Sequence, residues 1–272
     1  MGIINWCDDK ITELKENNVE FINGRPQVPI DKLYFEVPEM IETYQFRNEI
    51  PNDIKKKSLI CFYSYENRIL PRLETIDRDA EVFKEYGGIV GMDISPSVNM
   101  LRPRQLHSIL INQIYNCLMA IRGVMIAINS RIGDLKTNSI IYEFPINKTL
   151  IFGNLGCKGI FKNYSILQFQ NWITVNKPKN ICIYGNFCKY DIQLIERLKN
   201  DFILNIYRGH NYRKVINKKS VLTICGSKYT KTNPDQGHVY ELILTHGIKK
   251  IKPFDDLSSK GGESHGCKIT IS

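Results

Sequence analysis

The sequence feature that most constrains the fold is a set of six short apolar runs, each four to six residues long. Their apolar residues are mostly consecutive rather than alternating with polar ones, which is typical of parallel strands covered on both faces. The runs are Leu59–Tyr63, Ile89–Ile94, Val124–Asn129, Thr149–Phe152, Asn180–Tyr184 and Ile203–Tyr207. Each run predicts one strand of a buried sheet.

Helical segments separate these strands. The clearest is Pro103–Arg122, where apolar residues recur every three or four positions and Gly123 follows the last turn. Weaker helical patterns cover Arg72–Lys84, Ser165–Val175 and Asp191–Lys199, and Leu135–Tyr142 fits either a short helix or a strand. Strands that alternate with helices predict an α/β fold with a mainly parallel sheet and flanking helices. The sheet is either doubly wound or a partial β/α barrel, and both remain open.

The pattern divides the chain into three parts. Residues 1–57 are an irregular or partly helical lead, 58–207 an α/β core domain, and 208–272 a basic β-rich C-terminal appendage. Within the appendage, Ser220–Cys225 and Val239–Leu244 are rich in β-branched residues and predict a β-hairpin. The Gly- and Ser-rich end of the chain predicts a flexible tail.

The charge is distributed unevenly along the chain, whose formal net charge is +9. Residues 158–272 hold 19 basic and 8 acidic residues, a net charge of +11, whereas residues 1–157 have a net charge of −2. Basic residues interleaved with aromatic ones favour nucleic-acid binding, because cations neutralise phosphates and rings stack on bases. The candidate nucleic-acid-binding residues are Arg213, Lys214, Lys218, Lys219, Lys228 and Lys231. The alternative is a solvated basic face produced by a codon bias toward Lys, Asn and Ile.

Several classes of protein are disfavoured. No apolar run approaches the roughly 18 residues of a membrane span, and Asp8 and Asp9 follow the N-terminus too closely for a signal peptide. The eight cysteines are scattered without a Cys-x-x-Cys pair, which predicts buried, reduced thiols in a cytoplasmic protein. No phosphate-binding glycine loop, serine nucleophile elbow or zinc-binding histidine pair occurs in the sequence, so it identifies neither a cofactor nor a metal site.

Candidate site residues lie where the predicted strands end, because ligands of parallel α/β folds bind at the carboxyl ends of the strands. Asp93 directly ends a strand and is the best candidate for a catalytic base or a metal ligand. The predicted ligand- or phosphate-binding residues are Ser95, Arg131, Asn154, Asn186 and Arg208. An arginine holds a phosphate or carboxylate through two parallel hydrogen bonds. The alternative for Asp93 is a turn or a helix cap, since Asp-x-Ser-Pro is common in turns.

The stretch Cys61–Phe187 resembles an uncharacterised domain family of bacterial phages, plasmids and integrative elements. The likeness lies in the order and spacing of four segments: Tyr86–Ser95 (YGGIVGMDIS), Val124–Arg131, Leu150–Gly156 (LIFGNLG) and Lys177–Gly185 (KPKNICIYG).

Two positions depart from the family pattern. Met92 stands where the family tends to have proline, and residues 129–131 stand where it usually has tryptophan. The resemblance implies an α/β domain, a mobile-element origin and therefore a bacterial host cytoplasm. It implies no activity.

Three functions follow from these observations. The first is a phage or mobile-element accessory protein that binds nucleic acid or a nucleoprotein partner through its basic C-terminal half. The second is an enzyme that acts on a phosphorylated or nucleic-acid substrate at the strand ends. The third is an inhibitor that binds a host protein by surface contact. The second predicts that Asp93, Arg131 and Asn154 share one concave pocket.

Overall fold

A computed structural model describes residues 2–96, 100–154, 164–185, 195, 202–210 and 240–241. The chain begins with helix α1 (Ile3–Glu16) and a small antiparallel pair, β1 (Phe21–Ile22) and β2 (Arg25–Pro26). Parallel strands then follow in chain order: β3 (Met40–Thr43), β4 (Ser58–Cys61), β5 (Gly88–Val90), β6 (Ile126–Asn129), β7 (Thr149–Asn154), β8 (Asn180–Gly185) and β9 (Leu204–Arg208). A short strand, β10 (Tyr240–Glu241), pairs antiparallel to β9.

The predicted α/β class with a parallel sheet is confirmed. All six apolar runs form strands, and β6 pairs parallel to β5 on one side and to β7 on the other. Strand β3 was not predicted, because its four residues, MIET, include the charged Glu42 and make no continuous apolar run. It nevertheless pairs parallel to β4 from Met40 to Thr43 and makes the sheet seven parallel strands wide.

The sheet curls until it is nearly a barrel. Side chains from all seven parallel strands meet in one buried cluster with Tyr34: Ile41, Leu59, Cys61, Tyr63, Val90, Ala127, Ile151, Cys182, Tyr184 and Tyr207. The two outermost parallel strands also approach each other, since the hydroxyl of Tyr207 on β9 donates a hydrogen bond of 2.6 Å to Pro38 O, just before β3. Of the two predicted arrangements, the partial β/α barrel is therefore the one present.

The amino-terminal end of the barrel is closed by residues 33–38, the floor segment. The main-chain N–H of Tyr34 donates to Ile126 O at 2.8 Å, and its ring enters the interior cluster. Phe35 O accepts a hydrogen bond of 2.8 Å from the side chain of Asn180. Because this end is closed by the chain itself, the carboxyl ends of the strands form the mouth of the barrel.

Helices cover the outer face of the sheet. They are α2 (Glu66–Ile69), α3 (Ile76–Phe83), α4 (Arg102–Ile121) and α5 (Tyr164–Asn176), with a 3₁₀ helix at Leu135–Glu143. The long predicted helix matches α4 to within one residue at each end. Its apolar stripe packs on the outer face, where Ile114 and Leu118 join a cluster with Ile60 and Ile89.

Two of the other predicted helices are present, and the ambiguous segment is resolved. The pattern over Arg72–Lys84 splits into a 3₁₀ turn at Leu70–Glu74 followed by α3, and Ser165–Val175 forms α5. Leu135–Tyr142, which fitted a helix or a strand, is the 3₁₀ helix. The predicted helix Asp191–Lys199 lies outside the described residues apart from Ile195.

Most of the predicted appendage lies outside the described residues. Of the hairpin at Ser220–Cys225 and Val239–Leu244, the structure describes Tyr240 and Glu241, which pair with Ile206 and Asn205 of β9. The tail lies outside as well, so the division of the chain into three parts stays a prediction.

Two further observations concern the helices and the cysteines. Within the described ranges, no helix is long and apolar enough to cross a membrane. Cys7, Cys61, Cys117 and Cys182 are free thiols in buried positions. Burial raises the pKa of Cys182 to about 12, which keeps this thiol protonated and unreactive near neutral pH.

The bond from Tyr207 to the floor segment generates a test of barrel closure. Replacing Tyr207 by Phe leaves the buried Pro38 carbonyl without this donor, so we expect the free energy of unfolding to fall by about 1–3 kcal/mol. Urea denaturation measures the change. The matched control is Tyr142→Phe, at a side chain that is 76% exposed, where we expect a change near zero. Equal stability of both variants would contradict the role given to Tyr207.

Candidate functional site

Asp93 lies at the barrel mouth, three residues beyond the end of β5. It is only 2% exposed. Its Oδ1 is 3.2 Å from Nε of Arg131, and the amide of Asn129 donates a long hydrogen bond of 3.5 Å to the same oxygen. The carboxylate therefore faces a cation and an amide from the end of the neighbouring strand β6.

Arg131 joins three strand ends. Besides its contact with Asp93, its Nη1 donates to Ser95 Oγ at 3.0 Å and its Nη2 to Gly153 O at 3.4 Å. The guanidinium thus connects the segment after β5 to the last residues of β7. Three residues that the sequence analysis selected, Asp93, Ser95 and Arg131, are brought together at one point of the mouth.

Asn129 at the end of β6 is held in one orientation. Its Oδ1 accepts hydrogen bonds from the hydroxyl of Tyr63 at 3.2 Å and from the main-chain N–H of Arg131 at 3.3 Å. Its amide nitrogen donates to Gly91 O at 3.1 Å in addition to Asp93. Since both ends of the side chain are engaged, Tyr63 fixes the amide that faces the carboxylate.

Tyr63 reaches this position because residue 153 has no side chain. A Cβ on Gly153 would lie 2.0 Å from the ring of Tyr63, far closer than any real contact. The ring also stacks on Tyr184 of β8, with centroids 5.6 Å apart. The site therefore depends on a close approach between β7 and the aromatic residue that follows β4.

Two asparagines of α4 clamp the main chain on both sides of Asp93. Oδ1 of Asn116 accepts from the N–H of Met92 at 2.8 Å. Asn112 accepts from the N–H of Ile94 at 2.9 Å and donates to its carbonyl at 3.0 Å, as a neighbouring strand would do. The helix thus replaces a strand partner for the segment that carries the carboxylate.

The sequence analysis missed Tyr63, Asn112 and Asn116. The signal for the asparagines was present: they stand four residues apart on one side of α4, where amides and apolar residues form a mixed stripe with Gln105 and Ile109. Polar residues in such a stripe need buried partners, and the unpaired end of β5 supplies them. The role of Tyr63 has no comparable signal, because it depends on a contact between distant strands.

The electrostatics of Asp93 combine opposing effects. Burial raises its pKa to about 6, and the charge of Glu66 acts in the same direction. The charge of Arg131 and the hydrogen bond from Asn129 act in the opposite direction. The carboxylate is therefore mostly ionised at neutral pH. Its pKa is about two units higher than that of an exposed aspartate, so it is protonated at a correspondingly higher pH.

The remaining predicted residues are spread around the rim or lie outside the described residues. Asn154 ends β7 beside Gly185 of β8, and Arg208 ends β9 beside the same glycine. Asn186 lies outside the described residues, as do the six candidate nucleic-acid-binding residues: Arg213, Lys214, Lys218, Lys219, Lys228 and Lys231. Within the part of the chain that is described, no group of three His, Cys, Asp or Glu side chains could hold a metal ion.

A second buried polar group lies where the first and last parallel strands meet. His210, just after β9, has its Nδ1 3.4 Å from a carboxylate oxygen of Glu42 on β3 and 3.4 Å from one of Glu49. Its ring stacks on Phe46 with centroids 3.6 Å apart. These contacts join the two sides of the barrel near the mouth, as the bond of Tyr207 does at the floor.

Comparison of the chain with protein-family models, with curated proteins and with solved structures finds no match. The resemblance to a mobile-element family therefore stays a prediction.

The raised pKa of Asp93 predicts a pH dependence of stability. The unfolded carboxyl, with a pKa near 3.8, loses its proton before the folded one, whose pKa is about 6. We therefore expect the free energy of unfolding to fall as the pH rises from about 4 to about 6, by about 3 kcal/mol, and to level off above. Urea denaturation between pH 4 and pH 8 measures it.

Asp93→Asn serves as the comparison, because it cannot ionise and should lack this contribution. In the wild-type chain, a carbon-13 NMR titration of Asp93 should have its midpoint near pH 6. In Arg131→Gln the midpoint should be higher, because the neighbouring positive charge is gone. The same pH profile of stability for the wild type and Asp93→Asn would contradict the burial argument.

Proposed function

We propose that this chain is an enzyme that binds a phosphorylated or nucleic-acid substrate at the mouth of the barrel and uses Asp93 to accept a proton. The observation that carries the proposal is the contact between Asp93 and Arg131, 3.2 Å apart at the carboxyl ends of adjacent parallel strands. Burying a carboxylate against a cation is unfavourable unless the pair is well hydrogen-bonded, and such pairs are frequent in active sites.

Arg131 supplies the binding step. Its guanidinium is partly exposed, whereas the carboxylate of Asp93 is buried. An anionic group that binds this guanidinium is thereby placed next to the carboxylate. Arginine suits this role, because its planar group binds the oxygens of a phosphate in pairs. The hydroxyl of Ser95, 3.0 Å from Nη1, adds a neutral donor beside it.

Asp93 supplies the chemical step. At neutral pH it is ionised, and it accepts the proton of a hydroxyl group or a water molecule while that oxygen bonds to phosphorus of the substrate. The bond from phosphorus to the leaving oxygen breaks, and the leaving oxygen takes a proton from solvent. A pKa near 6 suits this task better than the usual value near 3.8, because a carboxylate with a higher pKa is a stronger base and is still ionised at neutral pH. Asn129 and the two asparagines of α4 keep the carboxylate in place during the transfer.

The charge of the chain supports an anionic substrate. Strands β7, β8 and β9 all end at the mouth, and the residues from 158 onward carry the net charge of +11. Arg208, the last residue of β9, is followed within six positions by Arg213 and Lys214. A substrate rich in phosphate, such as a nucleic acid, is attracted to this charge.

The test is a screen of phosphorylated metabolites and of single- and double-stranded nucleic acids for turnover. For a substrate that reacts, Asp93→Asn should lower kcat by a factor of about 10² to 10⁴ with little effect on KM. Arg131→Lys should mainly raise KM, because lysine keeps the charge but loses the paired hydrogen bonds. Asp31→Asn and Arg78→Met, at exposed side chains, are the matched controls. Unchanged turnover in Asp93→Asn would overturn the proposal.

A second candidate is nucleic-acid or nucleoprotein binding by residues 158–272 without chemistry, favoured by their net charge of +11. For this function we expect affinity to fall steeply with salt. The triple variant Arg208/Arg213/Lys214→Ala should reduce the slope of log K against log salt by up to about 3 on duplex DNA. Lys15/Lys32/Lys136→Ala, which removes three lysines from the first half, is the control.

Absence of binding to DNA and RNA at low salt would exclude this second candidate. A pull-down from host lysate, with and without nuclease, then distinguishes a nucleic-acid-dependent partner from a host protein bound by surface contact.

A further inference from the structure

Large apolar side chains are exposed around the polar centre of the barrel mouth. Tyr65 follows β4, Leu101 lies between β5 and α4, and Leu135 follows β6, so each belongs to the segment after one of three neighbouring strands. Their exposed fractions are 77%, 74% and 49%. A single exposed apolar side chain is common, but several around one polar site are typical of a binding surface. The mouth therefore offers apolar contacts beside Asp93 and Arg131.

Tyr65 lies at the strand end next to that of Asp93. It follows β4, and β4 pairs parallel to β5, the strand that leads to Asp93. The next residue, Glu66, begins α2, and its charge acts on the carboxylate of Asp93, so this short helix lies beside the site. An aromatic group bound at Tyr65 is thereby held close to the proposed base.

The ring of Tyr65 has a planar cation beside it. The guanidinium of Arg68 lies over the ring, 5.8 Å from its centroid, and its Nη1 donates to Oε1 of Gln45 at 3.1 Å. The main chain of Arg68 is fixed too, since its N–H donates to Tyr65 O at 2.9 Å and its carbonyl accepts from the hydroxyl of Tyr44 at 2.8 Å. An exposed aromatic ring beside an arginine is the kind of surface on which unpaired bases stack.

These features favour an unpaired base over other phosphorylated groups. A sugar phosphate has no flat ring to stack on Tyr65, and a base within a duplex is already stacked on its neighbours. Glu66 repels a phosphate at this point, but its carboxylate can accept a hydrogen bond from the amino group of a base. The phosphate of the same substrate is attracted instead to Arg131 and to the net charge of +11 beyond residue 157.

We propose that the substrate at the mouth is a single-stranded nucleic acid, with one base stacked on Tyr65 and a phosphate bound by Arg131. This inference rests on the proposed function and narrows its substrate class. Tyr65 follows β4 and Arg131 follows β6, two strands along the sheet, which is about 10 Å at the usual strand spacing. About three nucleotides at the ~3.4 Å spacing of a stacked strand cover this distance. One strand therefore reaches both residues and passes Asp93, which follows the strand between them.

The test measures binding of short single-stranded DNA and RNA to the full chain by fluorescence anisotropy. Tyr65→Leu should weaken binding about 5- to 150-fold, the effect of losing one stacked base, whereas Tyr65→Phe keeps the ring and should bind like the wild type. The matched control is Tyr142→Leu, at a tyrosine of equal exposure on the 3₁₀ helix, beside the end of α5 that leads into β8. Unchanged affinity in Tyr65→Leu, or equally tight binding of a duplex of the same sequence, overturns the proposal.

Salt separates stacking on Tyr65 from binding by the basic residues beyond Arg208. The ratio of wild-type to Tyr65→Leu affinity should stay constant as salt rises, because the ring carries no charge and releases no counterions. Replacing single nucleotides of the strand by abasic ones should find one position where the wild type loses affinity and Tyr65→Leu loses no more. A ratio that falls to one at higher salt, or no such position, contradicts stacking on Tyr65.

The two proposals fail separately, because binding is measured without turnover. Binding of single strands that depends on Tyr65 but leads to no reaction would retain the base-stacking site and remove the proposed enzyme. Turnover of a phosphorylated metabolite that depends on Asp93 but not on Tyr65 would instead retain the proposed function and remove the single-stranded substrate.

Discussion

The structure depends on one constraint: a parallel sheet needs apolar cover on both faces. Helices supply this cover on the outside, and the sheet supplies its own on the inside by curling until its inner side chains meet. The floor segment fills the end of that interior with Tyr34, and the hydrogen bond of Tyr207 and the contact of His210 with Glu42 join the outermost parallel strands. The mouth, where the polar residues gather, exists because the strands curl rather than lie flat.

Much of this architecture could be predicted from the sequence, and the reason is local. Strands buried on both faces leave continuous apolar runs, and α4 leaves a regular stripe, so both are visible within about twenty residues. Strand β3 has no such run, because Glu42 interrupts it and is buried against His210, more than 160 residues away. The choice between an open sheet and a barrel depends on equally distant contacts, such as that of Tyr207 with Pro38.

In the site, too, some residues could be predicted from the local sequence, and others depend on contacts between distant parts of the chain. Asp93, Ser95 and Arg131 could be selected because parallel strand ends share one edge of a sheet, a rule that needs only the order of the strands. The residues that hold them in place could not. Asn112 and Asn116 act through the main chain of another element, and Tyr63 acts across the barrel interior. The basic residues beyond Arg208 were selected as candidates for nucleic-acid binding from the charge of the sequence, and that role stays a prediction.

Gly153 has a consequence for how this sequence can change. Any side chain at this position would meet the ring of Tyr63, so a larger residue there is tolerated only after residue 63 has become smaller. A smaller residue 63 would in turn release Asn129, which has lost its hydroxyl partner. The two positions therefore change in a fixed order, residue 63 first and residue 153 second. The intermediate sequence has a site in which Asn129 is no longer held by a hydroxyl group. Relatives that keep the site should keep the pair, and a relative with a larger residue at position 153 should also have a smaller residue at position 63.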